Sequence, residues 1–179
     1  MIRPAVGEQT TLAERKRRAA QRLILGFEGT SPSAEFRAFV RKAPPAGFIL
    51  FARNIEEPAQ VRELNRELSD MLPSDSPAIL SVDQEGGRVL RVRETSWPPM
   101  RWLGNIDDVE TTRHTAKSMA SELRAMGFNL DWAPCADVDS NPDNPVIGDR
   151  SFSRSPDVVS RHVGAFLDGL HDAGVMGSV

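Results

Sequence analysis

Only one cysteine, Cys135, occurs among the 179 residues, so no intramolecular disulfide can form and a disulfide-stapled scaffold is excluded. A reducing compartment fits. His114, His162 and His171 form no metal-ligand spacing with that cysteine, so neither a structural nor a catalytic metal is expected. No apolar run approaches the roughly 20 residues that a bilayer-spanning helix needs. The N-terminal stretch from Met1 reaches Glu8 without the apolar core of a secretory leader. A cytoplasmic location with no membrane contact is the expectation. No Gly-x-Gly-x-x-Gly follows the first apolar run and no Walker-type lysine follows a glycine loop. Basic residues cluster once, at Arg15-Lys16-Arg17-Arg18 and Arg22, with no aromatics among them, in a chain of net charge -3. That pattern predicts a solvated helix face, not a nucleic-acid surface.

What remains is an ordinary globular composition, 40% apolar and 26% charged, patterned as short apolar runs alternating with longer amphipathic segments. Strands are predicted at Leu23–Phe27, Gly47–Phe51, Ala78–Val82 and Phe128–Ala133. Helices are predicted at Ser33–Lys42, Pro58–Leu72, Val109–Met126 and Pro156–Ala173, after a helical N-terminal extension over residues 1–20. Ser155 is placed to cap the last of these, and Gly127 and Gly174 to close the helices before them. Buried strands separated by crossover-length helices mean a parallel α/β architecture. Val175–Val179 reads as the opening of a further strand, which leaves an apolar sheet edge that another chain could cover.

Polar residues gather just after the strands, the ligand-binding face of a parallel β/α protein. They are Glu28, Arg53-Asn54, the run Asp83-Gln84-Glu85-Gly86-Gly87-Arg88, and Asp137. The paired glycines allow a sharp turn beneath a ligand. Glu85 is predicted to be structural, holding that turn or pairing with Arg88. For Arg150 an ion pair with Asp149 or Asp137 is the alternative to ligand contact. Cys135 reads as a small buried hydrophobe, the histidines as surface or packed residues, Trp132 as core, and Trp97 and Trp102 as packing residues beside Pro98-Pro99.

Three segments in order, Gly47-Phe-Ile-Leu-Phe-Ala-Arg-Asn54, Val82-Asp-Gln-Glu-Gly-Gly-Arg-Val89 and Asn144-Pro-Val-Ile-Gly-Asp-Arg-Ser-Phe152, resemble the N-terminal domain of family 3 glycoside hydrolases, closest to bacterial β-N-acetylglucosaminidases that recycle peptidoglycan. The resemblance implies an α/β fold, the N-terminal half of a TIM-type (β/α)₈ barrel, about four and a half β/α units of a domain that typically takes roughly 250 residues. It implies retaining hydrolysis of terminal β-linked N-acetylhexosamine, with no cofactor. Asp83, Arg91 and Arg150 are implied as substrate contacts, the carboxylate accepting sugar hydroxyls and the guanidinium forks giving directed bonds. In the family the proton donor and the nucleophilic aspartate belong to later strands, so no catalytic residue is expected within residues 1–179. The isolated chain is therefore expected to be inactive, to bind small carbohydrates weakly, and to self-associate through open sheet edges. Two alternatives stay open: a non-catalytic carbohydrate-binding remnant or interaction protein, and an open α/β domain that cradles a phosphate on Gly86-Gly87.

Overall fold

The computed structural model describes residues 11–179, so the first ten residues of the expected N-terminal extension lie outside the described residues. Helix α1 (Leu12–Ala20) begins at a reciprocal cap: Thr11 Oγ1 accepts the Glu14 N–H at 3.2 Å, and the Glu14 carboxylate accepts the Thr11 N–H at 2.7 Å. Its basic residues lie on an exposed surface, as the charge pattern predicts.

Five strands, β1 (Ile24–Leu25), β2 (Gly47–Leu50), β3 (Ile79–Val82), β6 (Leu130–Asp131) and β7 (Met176–Gly177), form one all-parallel sheet in that order. Helices α2 (Ala34–Lys42), α3 (Pro58–Asp70), α5 (Val109–Ala125) and α6 (Pro156–Asp172) make the crossovers. The strand order never reverses, so the sheet has the sequence of a barrel wall and lacks the switch point at which doubly wound sheets bind nucleotides. Strands β1 and β7 each have one neighbour, and Leu23 and Met176 at these two edges are about half exposed.

The strands are shorter than their apolar runs. Phe128–Ala133 pairs only at Leu130–Asp131, since Pro134 brings no N–H to a ladder and the chain turns away toward the ligand face. Between β3 and α5 lie elements that the apolar pattern does not predict: an antiparallel hairpin of β4 (Gln84–Gly86) and β5 (Val89–Leu90), then a helix α4 (Met100–Ile106). Pro98-Pro99 signals a break, and seven residues including Gly104 and Asn105 give a weak helical signature. Gly127 and Gly174 take φ of +91° and +75° and close their helices as expected. Ser155 differs from expectation: its side chain makes no cap bond, and its own N–H donates to Ser153 Oγ at 3.1 Å.

Two buried clusters share the layer between sheet and helices. One joins β2 and β3 to α2 and α3 through Val40, Phe48, Leu50, Val61, Leu68 and Leu80. The other joins α4, α5 and α6 through Met100, Leu103, Met119, Phe152, Phe166 and Leu170. Apolar burial of this extent supplies most of the folding drive. No described helix is long and apolar enough to cross a membrane.

Candidate functional site

The strand ends place Asp83, Glu85 and Arg91 on one face, because β3 delivers Asp83 and the hairpin folds Arg91 back over it. Arg91 Nη2 meets Asp83 Oδ2 at 3.0 Å, with both side chains about a quarter exposed. Asp83 Oδ1 has no protein partner among the described residues, and Arg91 Nε is buried without one. The Phe51 ring lies under two guanidinium groups, Arg53 at 4.7 Å and Arg91 at 5.9 Å from its centroid. Arg53 also reaches Glu28 at 3.1 Å and the Phe27 carbonyl at 3.1 Å. Buried Asn54 donates to the carbonyls of Phe27 and Gly29 at 3.0 and 2.7 Å and accepts the Phe51 N–H at 2.9 Å, tying the loops after β1 and β2 together.

Arg150 sits on a single 3₁₀ turn (Gly148–Arg150) in the long loop between β6 and α6. Its fork is bidentate on Glu85, Nε to Oε2 at 2.8 Å and Nη2 to Oε1 at 2.7 Å. Glu85 thus pairs with Arg150 and not with Arg88, and the ion pair weighed as the alternative for Arg150 forms with Glu85, not with Asp149 or Asp137. Planar complementarity across the two loops wins over proximity in sequence. Arg88 instead pairs with Asp149 at 3.1 Å and donates to the carbonyls of Pro145, Val146 and Ile147. The two loops are thus cross-braced by opposite charges in each direction. The hydrogen bonds that Arg150 donates to the Glu85 carboxylate raise its pKa further above its already high value, so this cation keeps its proton at any working pH.

The glycine turn serves the protein itself. Gly86 and Gly87 have φ of +98° and +56°, and a β-carbon on them would lie 2.2 Å from the Pro98 carbonyl oxygen and 2.7 Å from Pro99 Cβ. The space under the turn is occupied by the Trp97–Pro99 backbone, not held open for a ligand, and with it the phosphate-cradle alternative loses its site.

Asp131 bears a signal that strand-end reasoning misses, a carboxyl inside an apolar strand. It is fully buried; Oδ1 accepts the Gln84 N–H at 2.8 Å and Oδ2 has no partner. Burial pushes its pKa well above the ordinary carboxylate range, and the charges of Asp83 and Glu85 push the same way. The unfolded chain therefore ionises here near pH 3.8 while the folded chain keeps its proton, so this group lowers stability as pH rises above that value. The Asp131→Asn variant is expected to gain on the wild type as pH rises from about pH 4, read from urea melts at increasing pH. A stability difference that stays constant with pH would contradict a buried neutral acid.

The remaining candidates are structural. His114 and His171 are exposed. His162 is fully buried, with Thr112 Oγ1 at Nδ1 (2.8 Å), Asp107 Oδ1 at Nε2 (3.2 Å) and the Phe152 ring stacked at 5.3 Å. Cys135 is buried, and burial pushes its thiol pKa up, away from nucleophilic character. Trp97 donates to Glu122 at 3.2 Å and packs as expected. Trp102 is instead half exposed, on the outer side of α4. Trp132 lies just after β6 and is only partly buried, so it is not the core residue that its apolar run suggests. No group of three or more His, Cys, Asp or Glu among the described residues is placed to hold a metal. A cavity of about 490 Å³ lies away from this face, between α3, residues 92–95 and α5.

Residues 14–179 match the family model described as glycosyl hydrolase family 3 N terminal domain. Over 156 residues the sequence is 40% identical to a beta-hexosaminidase of Pseudomonas aeruginosa, an alignment spanning 86% of this chain and 46% of that protein. A family 3 β-N-acetylglucosaminidase from Paenibacillus sp. FPU-7 superposes with a TM-score of 0.84 at 38% identity, covering 93% of this chain and 32% of that one. NagZ from Neisseria gonorrhoeae, in complex with N-trifluoroacetyl-D-glucosamine, gives 0.79 at 32% identity over 85% of this chain and 47% of that one. The chain spans about half the length of the curated relatives it matches.

Proposed function

Because the chain belongs to glycosyl hydrolase family 3, through its N-terminal domain, we propose that it supplies the sugar-recognition part of a retaining β-N-acetylhexosaminidase acting on peptidoglycan-derived N-acetylglucosaminides in the cytoplasm. The observation that carries this reading is the Asp83–Arg91 pair at the end of β3. The guanidinium holds one carboxylate oxygen, and the other is left to accept hydroxyls of a non-reducing sugar. Arg150, with two of its nitrogens fixed on Glu85, offers Nη1, whose only bond among the described residues is a long 3.3 Å contact to the Val146 carbonyl. The name and ligand of the similar enzymes point to an N-acetylated amino sugar.

Bond cleavage in this mechanism needs a nucleophile and a proton donor. None of Asp83, Glu85 and Asp131 is suited to either role. Asp83 and Glu85 are held by arginines, and Asp131 is sealed in the core. Residues 1–179 by themselves are accordingly expected to bind sugar weakly, to show no turnover, and to self-associate through the β1 and β7 edges. The test is a titration of the purified chain with N-acetylglucosamine by NMR, beside release of a chromogenic N-acetyl-β-glucosaminide. Binding abolished by Asp83→Ala, without turnover in either protein, is the expected result. Robust turnover by the chain that Asp83→Ala abolishes would overturn the division between recognition and chemistry.

A further inference from the structure

Behind the sugar-contact pair stand two side chains that touch no ligand face. Gln84 is 1% exposed and Asp131 0%. The Asp131 Oδ1 bond to the Gln84 N–H, 2.8 Å, fixes the peptide that leaves Asp83. The Gln84 amide then reaches across the hairpin: Oε1 accepts the N–H groups of Arg91 and Val92 at 2.9 and 3.1 Å, and Nε2 donates to the Val92 carbonyl at 2.8 Å. These bonds continue the hairpin beyond Leu90, where the β4–β5 pairing has ended after an irregularity between Gln84 and Gly86. A bulged two-strand hairpin has a weakly specified register, and here one side chain supplies it.

We propose that Gln84 and Asp131 are the positioning residues of the sugar site: Asp131 sets the peptide after Asp83, Gln84 sets the backbone of Arg91, and together they bring guanidinium and carboxylate into contact. The ligand of this assignment rests on the sugar-binding reading; the geometry does not. Chemistry selects the residue types. Glutamine alone, at this length, combines an oxygen for two N–H groups with a donor for a carbonyl; ionised glutamate lacks the donor and methionine lacks both. At position 131 asparagine keeps the acceptor oxygen that the Gln84 N–H requires.

The test uses the 179-residue chain and its Gln84→Met, Asp131→Ala and Asp131→Asn variants, each titrated with N-acetylglucosamine by NMR. Gln84→Met and Asp131→Ala are expected to weaken binding at least tenfold while melting stays cooperative, and Asp131→Asn to stay within about threefold of wild type. A tenfold change is about the net worth of a single hydrogen bond between the sugar and a charged group. Methionine fills the same volume, so a role in packing alone would leave Gln84→Met binding normally. A second readout is independent of sugar: amide hydrogen exchange at Arg91 and Val92 is expected to accelerate at least tenfold in Gln84→Met, with the amides of α5 unchanged. Should the wild type bind no sugar, the functional reading falls and the exchange measurement still decides the positioning role. Normal exchange at residues 91 and 92 in a folded Gln84→Met chain overturns the proposal, as does normal affinity in that chain.

Discussion

Arg150→Met is expected to remove sugar affinity and about 3 kcal/mol of stability together, because it strands a carboxylate that has no other side-chain partner among the described residues. Glu85 is 6% exposed and receives two charge-assisted bonds, 2.8 and 2.7 Å long, from Arg150. Breaking a buried pair on one side costs about 3–5 kcal/mol, and the lower end applies because water reaches the 27% exposed Arg150 side chain. In a chain of this size, about 3 kcal/mol lowers Tm by about 6–12 °C. The double variant Glu85→Leu/Arg150→Met separates the two effects. With no charge left to desolvate it is expected to recover most of the stability, while the affinity does not return. Thermal melts and sugar titrations on the three proteins check both statements. A single variant that melts with the wild type would show that Glu85 finds water or another donor, and that the loop does not depend on this pair.

The reason the sequence leads to Arg150 but not to Glu85 as its partner lies in the loop between them. The parallel alternation, the strand-end position of Asp83 and the closing glycines at 127 and 174 are local patterns, and local patterns survive in a one-dimensional reading. Glu85 and Arg150 are 65 positions apart, and their meeting depends on how residues 132–155 fold back over the hairpin. No period marks that. The hairpin itself is hidden for a similar reason: Gln84 supplies with its side chain what a longer strand would supply with its backbone. Asp131 is legible in principle, since an ionisable group inside an apolar strand is costly unless it has a task. The pair Gly86-Gly87 suggests close approach correctly and its object wrongly, because glycine records that something comes near and not what it is.

Gly104 carries the same lesson to a measurable sign. It lies within α4, where alanine is ordinarily worth about 1 kcal/mol over glycine. Here Gly104→Ala is expected to destabilise by about 1–2 kcal/mol net, since overpacking of so fitted a contact costs in the upper part of the range of about 1–3 kcal/mol and outweighs the helical gain of about 1 kcal/mol. A β-carbon at 104 would fall 2.0 Å from the Phe152 carbonyl oxygen, a backbone atom with no rotamer to change. Phe152 cannot retreat easily: it is fully buried, with its ring stacked on His162 at 5.3 Å and set edge-on to Phe166 at 6.3 Å. The strain is therefore passed along the loop to Arg150, two residues before, so sugar affinity is expected to fall as well. Gly164→Ala is the matched control. Nothing lies within 4 Å of its built β-carbon in α6, and it is expected to stabilise by about 1 kcal/mol with affinity unchanged. Denaturant melts of the two variants should thus move in opposite directions from one chemical change. If both move upward, α4 can slide away from Phe152, and the close packing of helix on loop is not what holds Arg150 in place.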